Sequence, residues 1–336
     1  MEIKVGKQRN VRLIAVFAVI LPLFPAACAL YIYSRTYAKS LRLGLEITPA
    51  EFSSIMSRAV PGLLGMSAAA ILIALVSLSF QTITQSRILT PSMIGFDSLF
   101  IATQTVLVFA FSTTGGLFES PYINYFISAG VMLACSMVMY RFILQSSGNN
   151  VIYLLMFGLV LSGVLENGSR YLQLLMSNND YYRVQAATNV TVNNMNTSLV
   201  FLALPALLII SVLILYRHRT YNVMSLGAEQ SQSLGVFYAK ELNLNLIFIA
   251  LGMSLATALI GSLTFLGLLA VNVAREILKT HRHFPLFIGA AVLSALALIL
   301  GQSAVELLQG AIPVTAIINL VGCSYMFYLI LRENRI

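Results

Sequence analysis

Residues 59–80, AVPGLLGMSAAAILIALVSLSF, run for 22 positions without a charged side chain. A helix needs about 20 such residues to cross a hydrocarbon core of about 30 Å. In lipid, the backbone amides of a single crossing segment can be satisfied only within a helix. The same texture recurs on both sides of this block. Upstream lies Leu13–Tyr33; downstream lie Ile94–Phe111, Tyr122–Ile143, Val151–Leu174, Leu199–Tyr216, Leu242–Gly261, Phe284–Leu300 and Ile312–Leu331. A shorter segment, Leu266–Leu278, ends in charge and reads as a short or partly re-entrant tenth helix, so the range is nine or ten spans, with ten preferred. The expected fold class is an all-α polytopic membrane protein.

Composition agrees with the blocks. The 336-residue chain is 58% hydrophobic and only 10% charged, where about 25% charged is usual for soluble domains. So few charges cannot coat a water-soluble surface, which excludes an ordinary soluble enzyme. The net charge of +8 is no argument for nucleic acid; its placement is what informs. With ten spans both termini share one side, and Lys4, Lys7, Arg9, Arg12, Arg87, Arg141, Arg217, Arg219, Lys240, Arg275, Lys279, Arg282, Arg332 and Arg335 fall there. The opposite loops hold Arg35, Lys39, Arg42 and Arg58, grouped in one loop, and Arg183. The positive-inside rule then makes both termini cytoplasmic, with tails 1–12 and 332–336. The first block is long for a signal-peptide core and reads as an uncleaved helix. The Asn-rich outer stretch Ser177–Ser198 has room for a short helix at the membrane surface.

No catalytic constellation is evident. There is no Gly-x-x-x-x-Gly-Lys-Ser/Thr phosphate loop, so ATP is not bound here by that device. Cys28, Cys135 and Cys323 are far apart and read as buried small hydrophobes rather than as a metal or disulfide set. His218, His281 and His283 read as residues of solvated basic loops, and His281-x-His283 lacks the neighbours a metal site needs. No metal site is expected.

Two polar interruptions carry more. Glu166, Asn167, Ser169 and Arg170 break the fifth helix, and Glu166 and Arg170 at i,i+4 can pair on one face. Polar groups within a span are costly in lipid and mark either a water-filled path or a structural ion pair; both readings stay open, and Asp97 and Glu306 are weaker cases of the same kind. The segment Tyr221–Val236, between the sixth and seventh long helices, sets Leu226 and Leu234 two turns apart with Gly227 and Gly235 just after each. That pattern predicts two short helices broken at the first glycine, presenting an apolar knob to a partner or to the membrane surface.

Ser225–Val236 resembles the Ser-Leu-Gly-x-x-x-x-x-x-Leu-Gly-Val signature of the FecCD family, the iron-siderophore and cobalamin permeases of BtuC-like type II ABC importers. Phe80–Phe100, FQTITQSRILTPSMIGFDSLF, is similar to the family's stretch after the second helix, in particular to its catecholate/petrobactin/anguibactin-type branch. Gly261–Arg275 is similar to the Gly-x-x-x-Phe-x-Gly-Leu-x-x-x-x-x-x-Arg run. Together these matches extend from about Pro49 to Arg332. Two positions depart from the pattern: Ala270-Val271-Asn272 stands where many members have Val-Pro-His, and Gly62 replaces the second arginine of an Arg-x-Pro-Arg motif, with Arg58 one place upstream of the first.

The resemblance implies one transmembrane permease domain over residues 1–336, with no ATPase site or cofactor of its own. ATP and Mg would sit on two partner ATPase subunits. A second permease subunit, a homologous different chain rather than a second copy, would complete the conduit. A periplasmic binding protein would deliver a ferric siderophore through the bacterial inner membrane. Ser225, Leu226, Gly227, Leu234 and Gly235 would couple to the ATPases, the fifth-helix residues would line the path, and Arg35, Lys39, Arg42 and Arg58 would dock the binding protein. The alternative class is a proton- or ion-coupled secondary transporter with Glu166 and Asp97 as carriers. It predicts uptake driven by a proton gradient without ATPase partners.

Overall fold

The computed structural model describes residues 2–43, 48–111, 120–146, 151–190 and 196–333. Among the described residues every regular element is helical. The long helices are α1 (Glu2–Leu43), α2 (Pro49–Ile83), α3 (Phe96–Phe111), α4 (Pro121–Ser146), α5 (Val151–Leu174), α7 (Thr197–Tyr216), α10 (Tyr238–Ile260), α11 (Leu266–Leu278), α12 (His283–Leu307) and α13 (Val314–Glu333). They coincide with the ten blocks, and α5 and α11 match them to the residue. Short helices α6 (Asn178–Thr188), α8 (His218–Met224) and α9 (Ala228–Ser233) fall in the connections, and a 3-10 turn, Pro91–Ile94, precedes α3. Within the described residues, α2 from Glu51, α4, α5, α7, α10 and α12 are long and apolar enough to cross a membrane. The chain is a multi-pass membrane protein.

Helix α2 is the axis of the bundle. Its Ala69, Ala70, Leu72, Ala74, Leu75, Val76 and Leu78 are wholly buried, and α7, α10, α11 and α12 pack around it, with α1 laid on α12. Lipid tails are as apolar as leucine, so helix association in a bilayer depends on close packing and interhelical hydrogen bonds rather than on water exclusion. The alanine-rich face supplies the first. The second comes from bonds such as Ser294 Oγ donating to the Ala70 carbonyl (2.9 Å). Helix α3 is held on both flanks: Gln104 Nε2 donates to Asn124 Oδ1 and Ser128 Oγ of α4, both at 2.8 Å, and Gln173 Nε2 of α5 donates to Thr105 Oγ1 (2.9 Å). The 3-10 turn lies on α5 at Gly158, where a Cβ would overlap Ile94.

At 1.5 Å per residue, α3 and α11 reach only about 24 and 20 Å, short of a hydrocarbon core. Their beginnings meet. Asp97, in the first turn of α3, is buried and accepts from Thr264 Oγ1 (2.6 Å), two residues before α11. A carboxylate there faces the positive ends of two helices.

Three expectations change. Arg35, Lys39, Arg42 and Arg58 do not sit in one loop. Helix α1 continues to Leu43 and α2 already begins at Pro49, because Thr48 and Glu51 form a capping box: the Thr48 amide donates to Glu51 Oε2 (3.0 Å) and Thr48 Oγ1 accepts from the Glu51 amide (3.4 Å). Cys135 and Cys323 are exposed on the chain and only Cys28 is partly buried, since apolar helix faces in a membrane protein need not point inward. His283 is buried, as described below. The C-terminal residues 334–336 of the proposed tail lie outside the described residues, as do the side chains of residues 2–17.

Candidate functional sites

The segment after α7 contains the two short helices that its glycines predict. Helix α8 ends at Ser225, whose Oγ donates to the Asn222 carbonyl (2.8 Å), and the chain turns through Gly227 at φ +98°. A side chain there would be strained in the left-handed region. Helix α9 is tied back by Ser231, fully buried, whose Oγ donates to the Val223 carbonyl (2.8 Å). The second leucine turn closes at Gly235, φ +85°. Leu226 and Leu234 project outward, 54% and 62% exposed. They are apolar knobs, each more than half open to the outside.

The base of these knobs is fixed by bonds that reach far along the sequence. Asn222 Oδ1 accepts from the backbone amide of His283 (2.8 Å) and from its Nδ1 (2.9 Å). An amide oxygen can only accept, so Nδ1 carries the proton and Nε2 faces Thr82 Oγ1 of α2 (2.9 Å). Tyr221 stacks on the His283 ring and meets Phe287 edge-on. Burial pushes the Tyr221 phenol up to about 12. Gln85 Nε2 donates to the Met224 carbonyl (3.1 Å), and Asn245 Nδ2 to the Met224 sulfur (3.3 Å). Arg217, the residue before α8, pairs with Glu241 of α10. Helix α8 is thereby fastened to α2, α10 and α12 at once. His283, read from sequence as a solvated loop residue, is the centre of this clamp. Its partners lie 61 and 201 residues away, so no local spacing reveals them.

The fifth-helix residues divide between faces. Arg170 Nη2 and Glu166 Oε1 pair at 2.6 Å with side chains 71% and 47% exposed. Asn167 is exposed and its Nδ2 donates to the Gly163 carbonyl one turn back (2.8 Å). Ser169 points the other way, buried, with Oγ donating to the Leu165 carbonyl (2.6 Å). One face of α5 beside Arg170 is open among the described residues: Val160, Val164 and Tyr171 are each more than 60% exposed. Ser98 of α3 reaches its inner side through Ser162 (2.6 Å).

Of the four docking candidates, Arg35, Lys39 and Arg42 lie on the far part of α1 at spacings of four and three residues, and Arg58 is exposed on α2. Arg35 Nη1 donates to Tyr31 Oη (2.8 Å) and its guanidinium lies 5.9 Å from that ring's centre. The side chain of Arg42 lies outside the described residues. Glu306 is buried near the end of α12. Among the described residues no group of three His, Cys, Asp or Glu side chains is placed to hold a metal ion.

Residues 13–332 match the FecCD transport family. The petrobactin import system permease protein YclO of Bacillus subtilis (strain 168) is 38% identical over 264 residues, 78% of this chain and 84% of that protein. The petrobactin import system permease protein FatC of Bacillus anthracis is 28% identical over 293 residues, 86% and 82% of the two chains. A metal-chelate type ABC transporter solved in an inward-facing conformation superposes with a TM-score of 0.76 at 18% identity, over 93% of this chain and 99% of that one; this is a likeness of fold. A family match over nearly the whole chain, with a relative at this identity, places the protein: it belongs to the FecCD transport family.

Proposed function

We propose that this chain is the transmembrane permease subunit of an ABC importer that carries a ferric siderophore, of the petrobactin type, across the bacterial inner membrane. Both termini face the cytoplasm. The observation that carries the reading is the α8–α9 turn, where two exposed leucines stand on a base clamped to three long helices. Membership of the FecCD family and the petrobactin import permeases among its relatives support the cargo class.

In this reading Leu226 and Leu234 seat in two separate ATPase subunits of the assembly, which hold ATP and Mg. The chain itself supplies no ATPase site. ATP binding draws the ATPases together and displaces α8–α9. The Asn222–His283–Thr82 clamp and the Arg217–Glu241 pair pass that displacement to α12, α2 and α10. The permease then shifts between inward-open and outward-open states by as much as the ATPases bind the two differently. The uncovered face of α5, with Glu166, Asn167 and Arg170, meets a second, homologous permease and lines the path between them. The cationic ends of α1 and α2, Arg35, Lys39, Arg42 and Arg58, receive an acidic surface of a periplasmic binding protein.

The test is purification of the chain from its native membrane with its partners, followed by reconstitution. Co-purified ATPases and uptake of a ferric catecholate-type chelate that stops when hydrolysis is blocked are the expected results. Uptake by the chain alone, driven by a proton gradient, would contradict the reading.

A further inference from the structure

Behind the Ser225–Leu226 turn lies a cavity of about 800 Å³, walled by the link after α2, the end of α11 and the face of α13 carrying Tyr325 and Leu329. Its charge is lopsided. Arg87, Arg275 and Lys279 all line it, and among the described residues Glu276 is the only carboxylate that does. Glu276 is already engaged, its Oε2 accepting from Tyr325 Oη (3.1 Å). The other arginines with a defined charge partner contrast with this group: Arg170 has Glu166 and Arg217 has Glu241. Among the described residues no carboxylate pairs with Arg87, Arg275 or Lys279.

The fold concentrates these cations. Asn272, Arg275 and Lys279 recur at three and four residues on one face of α11, so they point to one side of the helix. Asn272 Nδ2 donates to the Arg87 carbonyl (2.9 Å), which anchors the Arg87 backbone over that face and brings its charge to bear on Arg275. Lys279 ends α11 in the left-handed region at φ +46°, an uncommon conformation for a residue with a side chain. Cations lining one cavity without a paired carboxylate repel one another unless an anion joins them, and planar guanidiniums match phosphate oxygens bidentately.

We infer that this cavity is a binding site for a phosphate-bearing anion, and that its occupant is the headgroup of an anionic phospholipid of the inner leaflet. Helix α13 gives the reason for choosing lipid over free phosphate. It packs on α11 and α12 and lends Leu329 to the cavity wall beside Tyr325, an apolar surface next to the cations that an acyl chain can meet. Tyrosines at this level fit the interfacial belt of a membrane protein, and basic pockets between helices on the cytoplasmic side are suited to anionic headgroups. The inference rests on the cytoplasmic placement of this face given above.

The test uses the full chain purified with its partners in a zwitterionic detergent. Native mass spectrometry counts retained phosphatidylglycerol against phosphatidylcholine, with inorganic phosphate at millimolar concentration as a separate arm. Phosphatidylglycerol is expected to bind at least about tenfold more tightly than phosphatidylcholine, and the Arg87→Gln/Lys279→Gln double variant to lose most of that preference. Equal retention of the two lipids overturns the inference, as does a preference unchanged in the double variant. Displacement of phosphatidylglycerol by inorganic phosphate alone overturns the lipid as occupant. Loss of the ATPases from the double variant with lipid preference intact assigns the cations to the protein partner and also overturns it. If no ATPase accompanies the wild-type chain, the importer reading fails, while the lipid count on the chain still judges the site.

Discussion

Two ion pairs of this molecule, Arg217–Glu241 and Arg170–Glu166, stand in opposite settings. Glu241 and Arg217 pair between helices, with side chains only 24% and 21% exposed, and the guanidinium also lies over the Phe248 ring at 6.0 Å. Glu166 and Arg170 pair within one helix on an open face. The contrast extends to their surroundings. Around α8, the polar side chains bond to partners on α2, α10 and α12. The side-chain bonds of Asn167, Ser169 and Arg170 each return to the same helix four residues earlier. A region fastened from several directions transmits displacement as a unit. A region whose polar groups satisfy only themselves leaves its outer face available to a neighbour. The first is built like a lever base, the second like a wall awaiting its opposite half.

Breaking the clamp at its centre should have the largest effect. Asn222→Ala strands two donors of His283, and each unsatisfied buried donor costs about 1–3 kcal/mol. A drop of about 2 kcal/mol in unfolding free energy is expected, together with uptake that falls more than ATP hydrolysis. A variant as stable and as well coupled as the parent would remove the distinction between the two regions. Next comes Glu241→Gln, which leaves Arg217 with an aromatic ring but no counter-charge. Full burial would make this cost about 3–5 kcal/mol, and the partial exposure here reduces it to about 1–2. The denaturation midpoint of the purified chain reads it directly.

The open pair should behave differently. Exposed i,i+4 pairs contribute about 0.3–0.5 kcal/mol, so Arg170→Ala should leave stability within that range while lowering uptake. Disappearance of the variant from the membrane would show that the pair is structural after all. Smallest in its effect on the fold is reversal of Arg35, Lys39 and Arg42 to Glu, which should leave the helix content unchanged in circular dichroism. Binding-protein affinity should fall several-fold at low salt and converge with the parent at high salt, because exposed charges are screened. A salt-independent affinity equal to the parent's would remove these cations from the docking surface.

The helices were legible because lipid imposes a length and a texture on each crossing. The turn at Gly227 was legible because positive φ asks for glycine and the leucines before each glycine repeat. The extensions of α1 to Leu43 and of α2 back to Pro49 leave no hydropathy signal, since hydropathy falls away once a helix leaves the apolar layer. The local signal was Thr48 with Glu51, a capping box in plain view. The clamp left no such trace. His283, Asn222 and Thr82 are ordinary residues in their own neighbourhoods, and only tertiary packing brings them together. The direction of Ser169, about 200° round the helix from Asn167, follows from helix rotation alone and is drawn from spacing.

The central claim is that the two leucine turns are the mechanical link between this membrane conduit and its ATPases. Replacing Leu226 and Leu234 together with Asp in the assembled importer, and measuring chelate uptake beside ATP hydrolysis, tests it most directly. The account predicts that uptake is lost, with hydrolysis running free or the ATPases no longer attached. Uptake and hydrolysis at the parent's rates, with the ATPases still bound, would contradict it.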